Sequence, residues 1–453
     1  MNPIRQLIVL SVHWALAASA GLAMEERPNI LLILSDDHNY RALGSVAGNE
    51  ILRTPNLDRL ASEGVYFNRC FTPNPICTPS RACLYTGQDS WTNGVTFNGK
   101  AINPDSPLFP RLLAQSGYET YFVGKWHNDG QPWNRGFTIG GRCYVGGRFD
   151  QFHMSVVKFG DDPRNRQTVD RYSTSVFTDD ALEYLQEERS QPFCMVVSYT
   201  VGHDAWLAPP GFAGKYAPSQ VPLPPNFMTK PPFQQFNSKI RDETLLRFPR
   251  TRADVRTATA GYYAMIEHMD EHIGQLLDAL QRRSLAAETL VIFLSVKGLS
   301  LGSHGILGKQ TLYEEGIRTS LIVRHPKLRA ASRTNSELVS TIDLLPTICE
   351  AAGVRIPASV EGQSLLGVYD GTRKGRQRLF FSYHDPNRST VTRAVRTQRY
   401  KLIHHLLTDE RQLFDLSNDP YEFKNLANLP EHQSVERDLT HALLVWRAGS
   451  EEK

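Results

Sequence analysis

Four apolar runs in this sequence end on groups that can handle charge or protons. Asn29 to Ser35 (NILLILS) leads into Asp36-Asp37, and Glu119 to Val123 leads into Lys125 and His127. Phe193 to Tyr199 (FCMVVSY) leads, four residues on, to His203, and Leu290 to Ser295 (LVIFLS) leads into Val296-Lys297-Gly298. Adjacent carboxylates suit a hard divalent cation, lysines suit an oxyanion, and histidines suit proton transfer. Each group alone has an ordinary reading. An Asp pair after a strand caps a helix or shapes a turn, a lysine is solvated, and a histidine is a hydrogen-bonded part of the framework. Their recurrence at strand ends argues for an active site, because open α/β sheets bind ligands beyond the carboxyl ends of their strands. A further reactive group is Cys77 in Cys77-Thr78-Pro79-Ser80-Arg81. Pro79 starts a helix, so the Cys77 side chain lies at a positive helix end suited to an oxyanion, with Arg81 beside it.

The elements that must position these groups alternate between apolar runs and helical patterns. That predicts an α/β fold, a mostly parallel central sheet flanked by helices. Thr54-Pro55 opens a helix that stops at Gly64. Pro107 to Ser116 is a short helix, and Thr178 is expected to cap a helix running to about Arg189. Ile266, Met269, Ile273, Leu276, Leu277 and Leu280 share one helical face, so about Asp254 to Arg282 is a long amphipathic helix. Ser320 to Arg324 completes the expected strands of the main domain. The Pro-rich stretch between His203 and Arg250 reads as an extended insertion lying over the surface. From about Leu379 short strand candidates crowd together (Leu379 to Tyr383, Thr392 to Thr397, Tyr400 to His404, Gln412 to Asp415). They predict a small C-terminal antiparallel sheet, closed by a helix from about Ser434 to Arg447.

Cys77-Thr78-Pro79-Ser80-Arg81-Ala82 with Leu84-Tyr85-Thr86-Gly87 resembles the signature of the sulfatase family. The resemblance continues through Pro55-Asn56-Leu57-Asp58-Arg59-Leu60, Gly124-Lys125-Trp126-His127, Gly302-Ser303-His304-Gly305, Gly308-Lys309, Arg399-Tyr400-Lys401 and Leu413-Phe414-Asp415-Leu416, in family order over nearly the whole chain. It implies an alkaline-phosphatase-like fold and sulfuric ester hydrolysis. It also implies that a formylglycine-generating enzyme oxidises Cys77 to formylglycine, whose hydrate attacks sulfur. By the same resemblance Arg81 holds the diol, Lys125 and Lys309 bind the sulfate oxygens, His127 assists at the diol, and His203 protonates the leaving alcohol. His304 is taken as a residue shaping a turn. The family holds Ca²⁺ with two early carboxylates, matched by Asp36 and Asp37, together with residue 77 and a later Asp plus an Asn or His. That later pair belongs in a Ser-Asp-(His/Asn)-Gly turn, which here reads Ser295-Val296-Lys297-Gly298. Three readings of Lys297 stay open: it replaces the metal by pairing with Asp36 and Asp37; it snorkels away while waters complete a weak metal shell; or the fold is kept without a ligand. The corresponding alternative to an enzyme is a binding protein for sulfated ligands. A phosphoryl or phosphonate hydrolase on the same fold needs metal as well.

The remaining features bound the setting. The chain has 453 residues, enough for one large core and a smaller second unit. A net charge of +3 gives no reason to expect nucleic acid or an anionic membrane as partner. Arg5 precedes an apolar run from Leu7 to Leu22, followed by small residues, which predicts a signal peptide over residues 1–23 cleaved near Ala20 or Ala23. The expectation is therefore an exported protein, periplasmic or secreted, with no membrane span after cleavage. A catalytic-type domain is expected over 24–375 and a smaller α+β subdomain over 376–453. Cys70 and Cys83 flank Cys77 and either pair or stay as buried thiols. Substrate selection is expected in loops around Trp133 to Arg166 and Trp206 to Arg250. There Trp133, Arg142, Arg148 and Trp206 suit a sulfated sugar and equally suit packing. The expected partner is a sulfated small molecule or saccharide.

Overall fold

The computed structural model describes residues 27–147, 150–232, 240–385 and 390–451. The expected signal peptide, and Arg148 with it, lie outside the described residues.

A large mixed sheet forms the centre. Its strands are β1 (Asn29–Ser35), β2 (Val65–Phe71), β3 (Glu119–Lys125), β4 (Ile139–Tyr144), β5 (Met154–Lys158), β6 (Gln167–Val169), β7 (Phe193–Ser198), β8 (Thr289–Ser295), β9 (Arg318–Arg324), β10 (Thr334–Asn335) and β11 (Val339–Ser340). The spatial order is β10-β2-β9-β8-β1-β7-β3-β4-β5-β6, with β11 also on β2. The central run β8-β1-β7-β3-β4 is parallel throughout. Antiparallel pairing appears only toward the edges, at β8/β9, β2/β9, β4/β5 and β5/β6. The expected mostly parallel α/β architecture is therefore present.

Continuous apolar strands follow from burial on both faces. Leu31 and Ile33 of β1 enter one core, while Ile30, Leu32 and Leu34 enter the other. The first core is closed by α1 (Pro55–Glu63), with α4 (Ser173–Gln186) and α5 (Arg252–Arg282). The second is closed by α2 (Cys77–Thr86), α3 (Phe109–Gln115) and α6 (Leu344–Ala351). Thr251 caps α5, its side chain accepting from the Asp254 N–H at 3.0 Å.

A second sheet, β12 (Arg378–Asp385), β13 (Thr390–Thr397), β14 (Tyr400–His405) and β15 (Glu410–Asp415), is wholly antiparallel and consecutive. Helix α7 (Gln433–Glu451) covers one face, with Leu439 and Leu443 against Val395, Leu402 and Leu413. The other face shares a core with Phe71, Ile76, Ile306 and Ile317 of the main body.

Two local expectations need correction, and one open alternative is resolved. Thr178 lies inside α4, its hydroxyl donating to the Thr174 carbonyl at 2.8 Å, because the helix already starts at Ser173. Cys70 and Cys83 are separate buried thiols, not a disulfide. Burial pushes the Cys70 thiol up to about 12. The stretch from His203 to Arg250 does not merely lie over the surface: Ile240, Asp242, Glu243 and Arg250 are buried, and Glu243 accepts from the backbone N–H groups of Leu307 and Gly308.

Candidate active site

Register puts the chemistry in one place. Ser35 is paired with Ser295, and Leu34 and Gly124 both with Ser198. The residues that follow Ser35, Ser198 and Ser295 therefore leave the sheet side by side with Lys125, the last residue of β3. Asp37 turns sharply, with φ of 45°, a left-handed conformation that Asp tolerates better than most residues. Gly202 approaches so closely that a Cβ there would lie 1.9 Å from the Asp36 carbonyl oxygen, which only glycine permits.

Helix α2 brings Cys77 to the same point. Cys77 and Arg81 are one helical turn apart and both buried. The Arg81 Nη1 donates to the Lys125 carbonyl (2.9 Å) and to Ser198 Oγ (2.8 Å), which fixes the guanidinium. Its Nη2 lies 3.5 Å from Asp36 Oδ2, and its Nε and Nη2 remain buried donors without a hydrogen-bond partner. Ser80 anchors α2 to the end of β8 by donating to the Val296 carbonyl at 2.5 Å.

The two carboxylates are surrounded by cations. Lys125 Nζ lies 2.6 Å from Asp36 Oδ2, and Lys309 Nζ lies 2.5 Å from Asp37 Oδ2. Lys297 Nζ contacts Asp36 Oδ1 and lies 2.5 Å from Asp37 Oδ1. Burial works against the charged form of Asp36, yet Lys125, Lys297 and Arg81 together hold its carboxyl well below the usual range. Burial likewise opposes ionisation of the Cys77 thiol, but Lys297 and Lys309 pull it well below its ordinary value. Position 77 is thus built to hold a negative oxygen or sulfur.

The two histidines differ. His127, with φ of 51°, hydrogen-bonds the Cys77 side chain, and burial lowers its pKa, so it is neutral at pH 7. His203 Nδ1 lies 2.9 Å from Asp204 Oδ1, and its Nε2 is 3.4 Å from Lys309 Nζ. Burial, Lys309 and Lys125 disfavour its protonation, but Asp37 and the bond to Asp204 outweigh them and raise its pKa. Arg241 holds Asp204 from behind at 2.6 Å and Asp242 at 2.7 Å, and Asp242 is in turn 3.5 Å from Lys309.

All the residues expected from the sequence converge: Asp36, Asp37, Cys77, Arg81, Lys125, His127, His203 and Lys309. Sequence reasoning missed Asp204, Arg241 and Asp242, which come from the Pro-rich stretch, and Ser198. Of the residues expected to touch a sugar, Arg142 is tied to Asp180 (2.5 Å), Trp133 packs on Phe159, and Trp206 donates to the Gly202 carbonyl. Each of these three has a packing or ion-pair role in the framework.

One atom each from Asp36, Asp37 and Cys77 lie within 4.8 Å of one another, as a shared cation would require. The donor set nevertheless does not fit Ca²⁺, which takes six to eight oxygens. Val296 offers an apolar side chain packed in the second core, and all four oxygens of Asp36 and Asp37 already face a cation. A divalent ion about 4 Å from the Lys297 ammonium would be repelled by about 8 kcal/mol at an effective dielectric of 20.

A nucleophilic position within a cation cluster, with a proton-donating histidine opposite, is the equipment of a hydrolase for an anionic ester. Residues 28–354 match the sulfatase family model, and residues 302–448 match that of the N-sulphoglucosamine sulphohydrolase C-terminal region. The chain belongs to the sulfatase family, whose members are sulfuric ester hydrolases.

Among relatives, it is 29% identical to the N-acetylglucosamine-6-O-sulfatase of Bacteroides thetaiotaomicron, over 98% of this chain and 90% of that protein. It is 28% identical to the mouse N-acetylgalactosamine-6-sulfatase, over 98% and 83% respectively. A protein solved in complex with its substrate D-glucosamine-2-N,6-O-disulfate superposes with a TM-score of 0.82 at 27% identity, covering 94% of this chain and 99% of that one.

Proposed function

We propose that this chain hydrolyses a sulfate ester on a saccharide, using formylglycine formed from Cys77. The observation that carries the reading is the cation cluster around position 77, where Arg81 keeps buried donors unpaired beside Lys125, Lys297 and Lys309. Unpaired buried donors are costly unless a ligand anion satisfies them. The saccharide assignment draws on the relatives and on the substrate of the solved structure named above.

The chemistry begins in trans. A formylglycine-generating enzyme, with its own oxidant, converts the Cys77 side chain to an aldehyde with loss of the sulfur, and water hydrates it. One hydroxyl of the diol, giving up its proton to solvent, then attacks the sulfur of R–O–SO₃⁻. The S–O bond to the sugar breaks, and His203, whose pKa is raised by Asp37 and the bond to Asp204, gives its proton to the departing oxygen. His127, neutral beside residue 77, takes the proton of the second hydroxyl. The C–O bond to sulfate then breaks, the aldehyde reforms and water rehydrates it; His127 releases its proton and His203 regains one through solvent, so the net reaction is ester plus water to alcohol, sulfate and one proton. Lys125, Lys309 and Arg81 stabilise charge on the sulfate oxygens throughout.

Export through the N-terminal segment completes the proposal, with sulfated material outside the cytoplasm as the substrate pool. Among the described residues no helix is long and apolar enough to cross a membrane.

The test is co-expression with a formylglycine-generating enzyme, mass analysis of the peptide containing Cys77, and hydrolysis of glucosamine-6-sulfate and an aryl sulfate. The expected result is aldehyde formation with turnover, and a loss of about a million-fold in Cys77→Ala, the scale seen when a nucleophile is removed. Aldehyde formation with no release of sulfate from any sulfated sugar or aryl ester would leave the binding-protein reading in its place.

A further inference from the structure

The chain carries its own cation. We infer that the Lys297 ammonium permanently occupies the place of a divalent metal between Asp36 and Asp37, making this a metal-independent sulfatase site. The inference rests on the sulfatase reading for its function but on geometry for its substance.

Position is the first argument. Lys297 is fully buried, and its Nζ touches one oxygen of each carboxylate. The other two oxygens are taken by Lys125 and Lys309. Every carboxylate oxygen of the pair already faces an ammonium.

Rigidity is the second. Val296 N–H donates to the Ser35 carbonyl, and the Lys297 carbonyl accepts from His38 N–H at 3.0 Å and from Ser295 Oγ at 2.8 Å. Gly298 passes so close to Glu315 that a Cβ there would lie 2.0 Å from its carbonyl oxygen. The turn is clamped on both sides of Lys297. A buried ammonium has no water to snorkel into, so leaving the carboxylates would strand the Lys297 charge in the interior.

Charge is the third. In the turn that the family motif implies, a divalent ion (+2) sits with an acidic residue (−1), giving +1. Here the neutral Val296 and the Lys297 ammonium also give +1. The two substitutions compensate one another, so the positive balance facing the substrate anion is kept while the need for six to eight oxygen ligands disappears. The ammonium donates to Asp36 Oδ1 and forms an ion pair with Asp37 Oδ1, so even with a proton turned to each carboxylate one remains for a sulfate oxygen or a hydroxyl on residue 77. Cys77 belongs to the same cluster: its sulfur lies within 4.8 Å of the carboxylate atoms grouped with it, and Lys297 is the foremost charge acting on its thiol.

The experiment is elemental analysis of the purified full-length mature protein, with thermal melts in excess Ca²⁺ and in EDTA. Wild type is expected to hold well under 0.1 divalent ion per chain, with a Tm that neither reagent moves. The double variant Val296→Asp, Lys297→Asn is expected to take up about one Ca²⁺ and to melt higher with Ca²⁺ than with EDTA. Stoichiometric metal in wild type, or a Tm raised by Ca²⁺, overturns the inference even if the variant does not fold. The two readings fail separately. A metal-free protein that releases no sulfate would sink the enzymatic function alone, while turnover abolished by EDTA would sink the tethered cation alone.

Discussion

Two buried charge clusters in this molecule differ in what they leave unfinished. At the strand ends, Arg81, Lys125, Lys297 and Lys309 crowd the two carboxylates Asp36 and Asp37. Beneath the C-terminal sheet, Arg41, Arg396 and Lys401 face Glu314, Glu315 and Glu422. The second cluster is balanced in composition, three cations to three acidic residues, with burial and the neighbouring Glu314 and Glu315 pushing Glu422 up to about 8. Asn226 donates to Glu315 at 3.0 Å and the Glu314 N–H donates to Glu422 at 2.8 Å. The first has cations in excess, a reactive side chain in their midst and unpaired Arg81 donors. A balanced cluster holds elements together; a cluster with surplus positive charge is complete only when an anion enters. Burial alone therefore does not mark a functional site. Unmatched charge around a reactive atom does.

The sharpest way to break this contrast is to damage the balanced cluster. Lys401→Met removes the ammonium that faces both Glu314 and Glu422 while keeping an unbranched chain of similar length. Two buried carboxylates then lose a partner, and stability is expected to fall by roughly 3–5 kcal/mol. In urea titrations this appears as a lower midpoint, while kcat per folded molecule stays at the wild-type value. A large fall in kcat with unchanged stability would show that the two clusters communicate and that the division drawn here is wrong.

At the strand ends the opposite partition is expected. Lys309→Ala leaves three cations on the carboxylates but removes one placed to meet a sulfate oxygen. The expected loss in kcat is roughly 10²–10³-fold, the scale for one preorganised donor to a developing charge. The fold should persist, with the urea midpoint checking that it does. A rise in KM with kcat unchanged would instead restrict Lys309 to ground-state binding.

How much of this could be read beforehand depended on where each signal lived. β1, β7 and β8 are buried on both faces, so their uninterrupted apolar runs are visible, and whatever follows them falls at the carboxyl edge of a parallel sheet. Cys77 and Arg81 were legible because Pro79 marks the first turn of a helix, although that helix starts at Cys77, two residues before the expected start. β4 to β6 were not, since IGGRCY alternates weakly and its glycines are there for close approach: a Cβ on Gly140 would lie 2.3 Å from the Phe122 carbonyl oxygen. β2 was hidden by the irregularity between Phe67 and Cys70. Arg241, Asp242 and Glu243 were illegible for a different reason. Charged residues in a Pro-rich stretch imply solvent, and Arg241, Arg250 and the Leu307–Lys309 loop, the last distant in sequence, make the burial of Asp242 and Glu243 tolerable. The roles of Val296 and Lys297 stayed open because a sequence does not say which way a lysine points.

The smallest expected effect probes the edge of the catalytic cluster, where Asp204 acts on chemistry through His203 and is a positioning residue. A general acid works while protonated, so activity is retained below its pKa and lost as pH rises through it. His203 is raised above its ordinary value of about 6.5, which places that loss on the alkaline side. The groups acting on it oppose one another: burial, Lys309 and Lys125 push its pKa down, while Asp37 and the hydrogen bond to Asp204 push it up. Asp204→Asn keeps a carbonyl oxygen for His203 Nδ1 and for Arg241 but removes the negative charge. The alkaline limb of kcat/KM is then expected to move to lower pH by about one unit, a change of about 1.4 kcal/mol in the cost of the imidazolium. The acidic limb should stay in place, because His127 belongs to the other side of residue 77 and takes its shift first from burial. A uniform drop in rate with both limbs fixed would mean that Asp204 only orients the ring. A shifted limb would mean that the negative charge of the carboxylate, beyond its shape, extends the surplus of positive charge at the strand ends to a proton that can be given away.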